Sequence, residues 1–198
     1  MNFSIARILS TLVLALGVLV AGPAAAESSA EAFVKARQAE LTALLRDGNG
    51  SNQKQIAAVF DRMLDYDKLA QESLGRHWDA RTPEERKEFQ ELLTQLVQRA
   101  YRQNLRKTLD FEVTFKGTDA AKDGSLVHTV AKHRTDPRQE PVTVDYVLHK
   151  VQGQWRVYDI ITEGSSLVSN YRSQFGRIIK KDGFPEVIAR MKKKVAED

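Results

Sequence analysis

The sequence predicts an α+β fold in which a curved, largely antiparallel four-stranded sheet packs against a long helix and a helical N-terminal part. Three observations predict it. Apolar residues recur at three- and four-residue steps through the first half of the chain, alternate singly with polar ones from Asp110 onward, and return to the helical period after Gly164. Helices gathered ahead of strands, not interleaved with them, argue for a layered α+β arrangement with an antiparallel meander.

The chain has 198 residues, no cysteine and a net charge of +4. Its first 26 residues read as a cleavable secretory signal: Arg7, an apolar run from Ile8 to Val20, then Gly22-Pro23-Ala24-Ala25-Ala26 as small residues for the peptidase. The run is shorter than the roughly 20 residues that span a bilayer. The mature chain would begin near Glu27 and form a single domain over 27–198, of ordinary core size. Loss of Arg7 leaves 29 basic residues against 26 acidic ones, a charge too mild to imply nucleic acid. Without cysteine there are no disulfides, thiolate metal sites or cysteine nucleophiles, so packing alone must hold an exported chain.

The first helix is signalled by Ser28 and Glu31, spaced as a capping box, and by Phe33, Leu41, Leu44 and Leu45. Asp47-Gly48-Asn49-Gly50 breaks it. Ser51 can cap a second helix carrying Ile56, Val59, Phe60, Met63 and Leu64 on one face. The intervening D-G-N-G-S resembles the opening of a calcium loop, but Asn52 replaces its glycine and Ala58 its bidentate glutamate, so it reads as a turn. Asp67 can cap a short helix ending at Gly75, after which Trp78 is placed to plug the core. The clearest start follows: Thr82 as N-cap, Pro83 at the first helical position and Glu85 completing a capping box. Phe89, Leu92, Leu93, Leu96, Val97, Tyr101, Leu105 and Leu109 extend this helix to about 40 Å, long enough to wall an elongated cavity.

Phe111, Val113 and Phe115 then alternate with polar neighbours, and Asp123-Gly124 turns the chain into a strand through His133. Val142, Val144, Tyr146 and Leu148 form the third strand. Gln152-Gly153 turns into the fourth, Trp155 to Thr162. Leu167, Val168, Tyr171, Phe175, Ile178 and Ile179 fit a closing helix, and Gly183 and Pro185 separate it from a basic terminal one.

Several chemistries find no support in the residues. His77, His128, His133 and His149 make no compact ligand set, so no metal site is expected. Ser165 and Ser166 lack the G-x-S-x-G context and suit helix capping better. Neither phosphate-binding glycine loop occurs. No catalytic residue and no cofactor are assigned. The competing enzymatic reading is a small α+β isomerase using Asp145 or Asp159 with Tyr146 or Tyr158 as oxyanion donor, and it rests on fold analogy.

Four blocks carry a resemblance. Leu69-Ala70, Leu74-Gly75 and Trp78 fit L-A-x-x-x-L-G-x-x-W; Thr82-Pro83-Glu84-Glu85-Arg86 with Phe89 fit T-P-x-x-R-x-x-F. Gly153, Trp155, Val157, Tyr158 and Asp159 fit G-x-W-x-V-Y-D, and Glu163-Gly164, Ser166-Leu167-Val168 and Tyr171-Arg172-Ser173-Gln174-Phe175 supply a closing signature. In this order they resemble the MlaC family of periplasmic phospholipid-binding proteins, also described as toluene-tolerance or auxiliary ABC-transport components. Ser165, where a small apolar residue is common, and Val147, where a basic one is often found, depart from the pattern.

The resemblance implies an NTF2-like, MlaC-like fold and a soluble periplasmic shuttle that carries glycerophospholipid between the outer membrane and an inner-membrane ABC transporter, maintaining lipid asymmetry. Its implied partners are phospholipid as cargo, the Mla-type transporter complex and an outer-membrane lipoprotein-porin complex; a scaffold that binds no lipid is the alternative within the same system. At about 0.8 kcal/mol per methylene, two acyl chains exposed to water cost more than about 20 kcal/mol, so a carrier must enclose them and leave the headgroup at a wet mouth. The expected cavity wall is Leu105, Val113, Val144, Tyr146, Leu148, Tyr158, Ile160, Leu167 and Tyr171. Arg172 and Arg102 are the headgroup candidates, with a lock between Arg172 and Glu163 as the structural alternative for the former.

Overall fold

A computed structural model describes residues 29–47 and 52–197, with the backbone alone at 104 and 105. The expected signal segment, Ser28, Ser51 and most of the D-G-N-G-S turn lie outside the described residues.

The elements run α1 (Ala30–Arg46), α2 (Gln53–Met63), α3 (Tyr66–Leu74), a 3₁₀ turn (Gly75–His77), α4 (Pro83–Asn104) and a second 3₁₀ segment (Leu105–Asp110). Then come β1 (Phe111–Ala121), β2 (Gly124–His133), β3 (Val142–Val151), β4 (Gln154–Thr162), β5 (Ser165–Ser166), α5 (Leu167–Asp182) and α6 (Phe184–Ala196). The α+β class and antiparallel sheet are as the periodicity predicts. The strands pair in chain order, and β5 adds a fifth that two residues are too short to betray by alternation.

The capping chemistry decides several boundaries. Thr82 and Glu85 exchange hydrogen bonds, Glu85 N–H to Thr82 Oγ1 at 3.2 Å and Thr82 N–H to Glu85 Oε2 at 3.0 Å, which sets the start of α4. Ser29 caps α1 by accepting from Ala32 N–H, one residue after the expected cap. Asp65, not Asp67, caps α3, its carboxylate accepting Lys68 N–H at 2.9 Å, while Asp67 falls in the first turn. The long helix is shorter than its apolar stripe suggests: α4 ends at Asn104 and tightens to 3₁₀ geometry up to Asp110. Residues three apart stay aligned in both helix types, so the stripe cannot show where the pitch changes.

The core gathers at one end of the sheet. Phe89 and Leu93 of α4, Leu69 and Leu74 of α3, Phe175 of α5 and Phe184, Val187 and Met191 of α6 are buried together, and Val127, Leu148 and Val157 close it from the sheet side. Phe89 meets the Phe175 ring edge-on at 5.2 Å. At the other end α1 lies across β1 and β2 and reaches the 3₁₀ segment, with α2 beside it.

Two irregularities in pairing set which side chains share a face. In β1, Lys116 is skipped between the pairs Phe115–Thr129 and Gly117–His128. In β4, Tyr158 is skipped between Val157–Leu148 and Asp159–Val147. Each is a bulge that reverses strand parity, so Val157 and Ile160 fall on the same side of β4 although an odd number separates them.

Candidate functional site

A cleft of about 1130 Å³ opens between α1 and the concave side of the sheet, slightly larger than the ~300–1,000 Å³ typical of ligand pockets. Its floor is built by alternation: Phe111, Val113 and Phe115 from β1, Thr129 and Ala131 from β2, Val142, Val144 and Tyr146 from β3, and Ile160 from β4. Its roof is the face of α1 carrying Val34, Gln38, Leu41, Thr42 and Arg46, and Ala39 and Ala43 lie between these, keeping the roof thin. Phe60 and Tyr101 line it as a stacked pair, with ring centroids 3.7 Å apart.

The floor is apolar in effect as well as in composition. Thr129 is buried and its hydroxyl donates to Val144 C=O, so its polar atom is satisfied within the sheet. Phe111, Val113, Val144, Tyr146 and Ile160 are only half-buried, because open space stands in front of them. Burial pushes the Tyr146 phenol up to about 12.

The rim is polar and mainly basic. Lys35, Arg46 and Arg134 line it, against Glu112 as the one acidic residue among those described. Arg134 is fixed at the end of β2: its backbone N–H donates to Asp110 C=O at 2.7 Å and its Nε to Leu109 C=O at 3.1 Å. Lys35 Nζ lies over the Phe115 ring, 4.8 Å from its centroid. Thr162, Ser165 and Asn170 add neutral polar groups.

Of the expected wall residues, Val113, Val144, Tyr146, Ile160 and Leu167 line this cleft. Leu148 does not: it is fully buried in the helical core, farther along the same strand face. Tyr158 does not, because the bulge turns it away, edge-on to His149 at 5.3 Å and beneath Lys68 Nζ at 5.0 Å from its centroid. Tyr171 stacks on Phe175 at 5.5 Å, on the core side of α5. Leu105 has no described side chain.

Neither headgroup candidate reaches the rim. Arg102 Nε donates to Gln98 C=O within its own helix. Arg172 locks α5 to α3, with Nε donating to Glu72 C=O at 2.8 Å and Nη2 to Glu72 Oε2 at 2.9 Å; its partner is Glu72, not Glu163. The sequence reasoning missed α1 as the roof and Arg46 and Arg134 at the rim. No local signal marks them, since small residues such as Ala39 and Ala43 suit a closely packed helix as well as a cavity roof.

Apart from Leu167, which lines the cleft, the signature residues with described contacts brace the fold. Asp159 is 8% exposed and accepts two hydrogen bonds, from Ser166 Oγ at 2.6 Å and Val168 N–H at 3.0 Å. It thereby ties β4 to the start of α5, where Ser166 is the N-cap. Glu163 and Gly164 both have positive φ, and the Glu163 carboxylate accepts from the Thr143 backbone and hydroxyl groups. Gly75, at φ 52°, leaves room for Arg172, whose Nε would stand 3.0 Å from an added Cβ. Trp78 packs against the core, and its carbonyl accepts from Arg86 Nε at 3.1 Å. Asp145, the other strand carboxylate considered for acid-base chemistry, meets His128 Nδ1 at 3.1 Å. Neither Asp145 nor Asp159 lines the cleft.

The family model of the MlaC protein matches residues 34–193. Among solved structures, the chain is similar to a phospholipid-binding protein from Ralstonia solanacearum in complex with a phospholipid, with a TM-score of 0.73 and 26% sequence identity over 85% of this chain and 98% of that one. No curated protein matches.

Proposed function

This chain belongs to the MlaC family, and on that premise we propose that it is a phospholipid carrier whose acyl chains occupy the cleft between α1 and the sheet. The observation that carries this reading is the cleft: about 1130 Å³, apolar on its floor and basic at its rim. Apolar surface held open to water is costly, and an acyl chain removes it at about 25 cal/mol per Å². The similar Ralstonia solanacearum protein, a phospholipid complex, supports the same assignment.

The tails would lie along Val113, Val144, Tyr146 and Ile160, and the headgroup phosphate at the rim with Arg46 and Arg134, where it stays hydrated. We assign the carrier to the periplasm, delivered by the leader at residues 1–26, which is then removed to leave one domain over 27–198. There it would move glycerophospholipid between an outer-membrane lipoprotein-porin complex and an inner-membrane Mla-type ABC transporter, preserving outer-membrane lipid asymmetry. ATP use by the transporter would set direction, since a carrier transfers lipid only as differential affinities allow. It needs no cofactor and performs no catalysis in this role.

The test is native mass spectrometry of protein purified from a bacterial periplasm without detergent, followed by organic extraction and lipid identification. Stoichiometric glycerophospholipid is the expected result. Protein that emerges empty, and stays empty after incubation with labelled liposomes, would overturn the proposal.

A further inference from the structure

Farther along α5, beyond the residues that face the lipid cleft, a second concavity of about 730 Å³ lies between that helix and the end of α3. Its charge is one-sided. Arg76 comes from the 3₁₀ turn after α3, beside His77, and Arg172, Arg177 and Lys180 from α5, and among the described residues Glu72 is the acidic one in the lining. Glu72 is already engaged by Arg172, and among the described residues none forms an ion pair with Arg76, Arg177 or Lys180. The helical spacing of 172, 176 and 180, with 173 and 177 beside them, puts all these positions on one face of α5. Gly176 sits at the centre of that face, where an added Cβ would stand in ordinary contact with His77 Nε2 at 4.0 Å.

We propose that this basic cleft is a docking site for an acidic segment of a protein partner. Three unpaired cations in one concavity repel each other, a cost that an incoming anion removes. Concavity selects the kind of anion: protruding Asp and Glu side chains enter a cleft of this size, whereas a bilayer surface is flat. Arginine guanidinium forks pair carboxylates in bidentate fashion, and Arg76 and Arg177 both line the concavity. The site shares α5 with the lipid cleft, through Leu167 and Asn170 at the start of the helix, but none of its residues lines that cleft. Docking and lipid loading are therefore separable.

The experiment is fluorescence anisotropy of a fluorescein-labelled octaglutamate peptide titrated with the protein at low salt. Saturable binding is expected, weakened about tenfold or more by the pair Arg177→Glu and Lys180→Glu, and unaffected by the equally charged pair Lys54→Glu and Lys193→Glu elsewhere on the surface. Glutamine at 177 and 180 gives a milder version should the reversed pair fold poorly, and thermal melts report the fold. The proposal is overturned if the peptide does not bind, or if the two reversed pairs weaken it equally. It is likewise overturned if phosphatidylglycerol vesicles, and not the peptide, bind in a manner that depends on Arg177 and Lys180.

Discussion

Replacing Val144 by Trp tests the lipid reading at the centre of the cleft floor. Val144 is half-buried and faces open space, so the larger ring has room to enter without disturbing the core. Trp exceeds Val by about seven non-hydrogen atoms; a ring that excludes only three acyl methylenes, at about 0.8 kcal/mol each, removes about 2.4 kcal/mol and weakens binding roughly 60-fold. The assay is equilibrium transfer of a fluorescent phospholipid from vesicles, with native mass spectrometry of the purified variant as a check on retained lipid. Leu148→Trp is the contrasting variant: Leu148 has no exposed surface, so overpacking it costs about 1–3 kcal/mol or more of stability and shows as a lowered melting temperature. A Val144→Trp protein that melts like the parent yet holds lipid with unchanged affinity would refute the placement of the acyl chains.

Asp159→Ala removes a buried carboxylate that accepts from Ser166 Oγ and Val168 N–H; a loss of about 3 kcal/mol, or about 10 °C in Tm, is expected, and an unshifted calorimetric melt would contradict the anchoring role. Gly124→Ala would place a Cβ 1.9 Å from Leu148 C=O, a backbone atom with nowhere to go; denaturant titration should show a fall of about 3 kcal/mol, and an unchanged midpoint would mean that β2 and β3 are less closely apposed. For His128, burial pulls the imidazole down, but the hydrogen bonds it donates to the Asp145 and Asp119 carboxylates outweigh it and leave the pKa raised. Its stabilising contribution is therefore full below the ordinary histidine value of about 6.5 and disappears as pH rises through the raised value; an NMR titration in which Asp145→Asn leaves His128 unchanged would break the argument.

The candidate site was legible to different depths. Val113, Val144 and Tyr146 were readable as neighbours because strand alternation is local, and each was correctly placed on one face. The same rule failed at Tyr158, where one skipped residue reverses parity and nothing in the local pattern announces it. Leu148 shares the face of Val144 and Tyr146 but not their surroundings, since the helices covering that end of β3 come from distant parts of the chain. Arg172 shows the corresponding limit for charges: its neighbourhood in sequence suggested Glu163, whereas its partner lies 100 residues away at Glu72.

By itself, the sequence determined the α+β class, the order of the major elements, the capping box at Thr82 and the family, because periodicity, caps and short motifs are interactions within a few residues. Only the tertiary structure decided that α1 roofs the cleft, that Arg46 and Arg134 stand at its rim, and that Asp159 and Arg172 of the recognisable motifs brace the fold while Leu167 of the same closing signature reaches the cleft. A cavity is the space left between elements distant in sequence, so its walls depend on bulges, helix pitch and long-range packing together. No local pattern contains that sum.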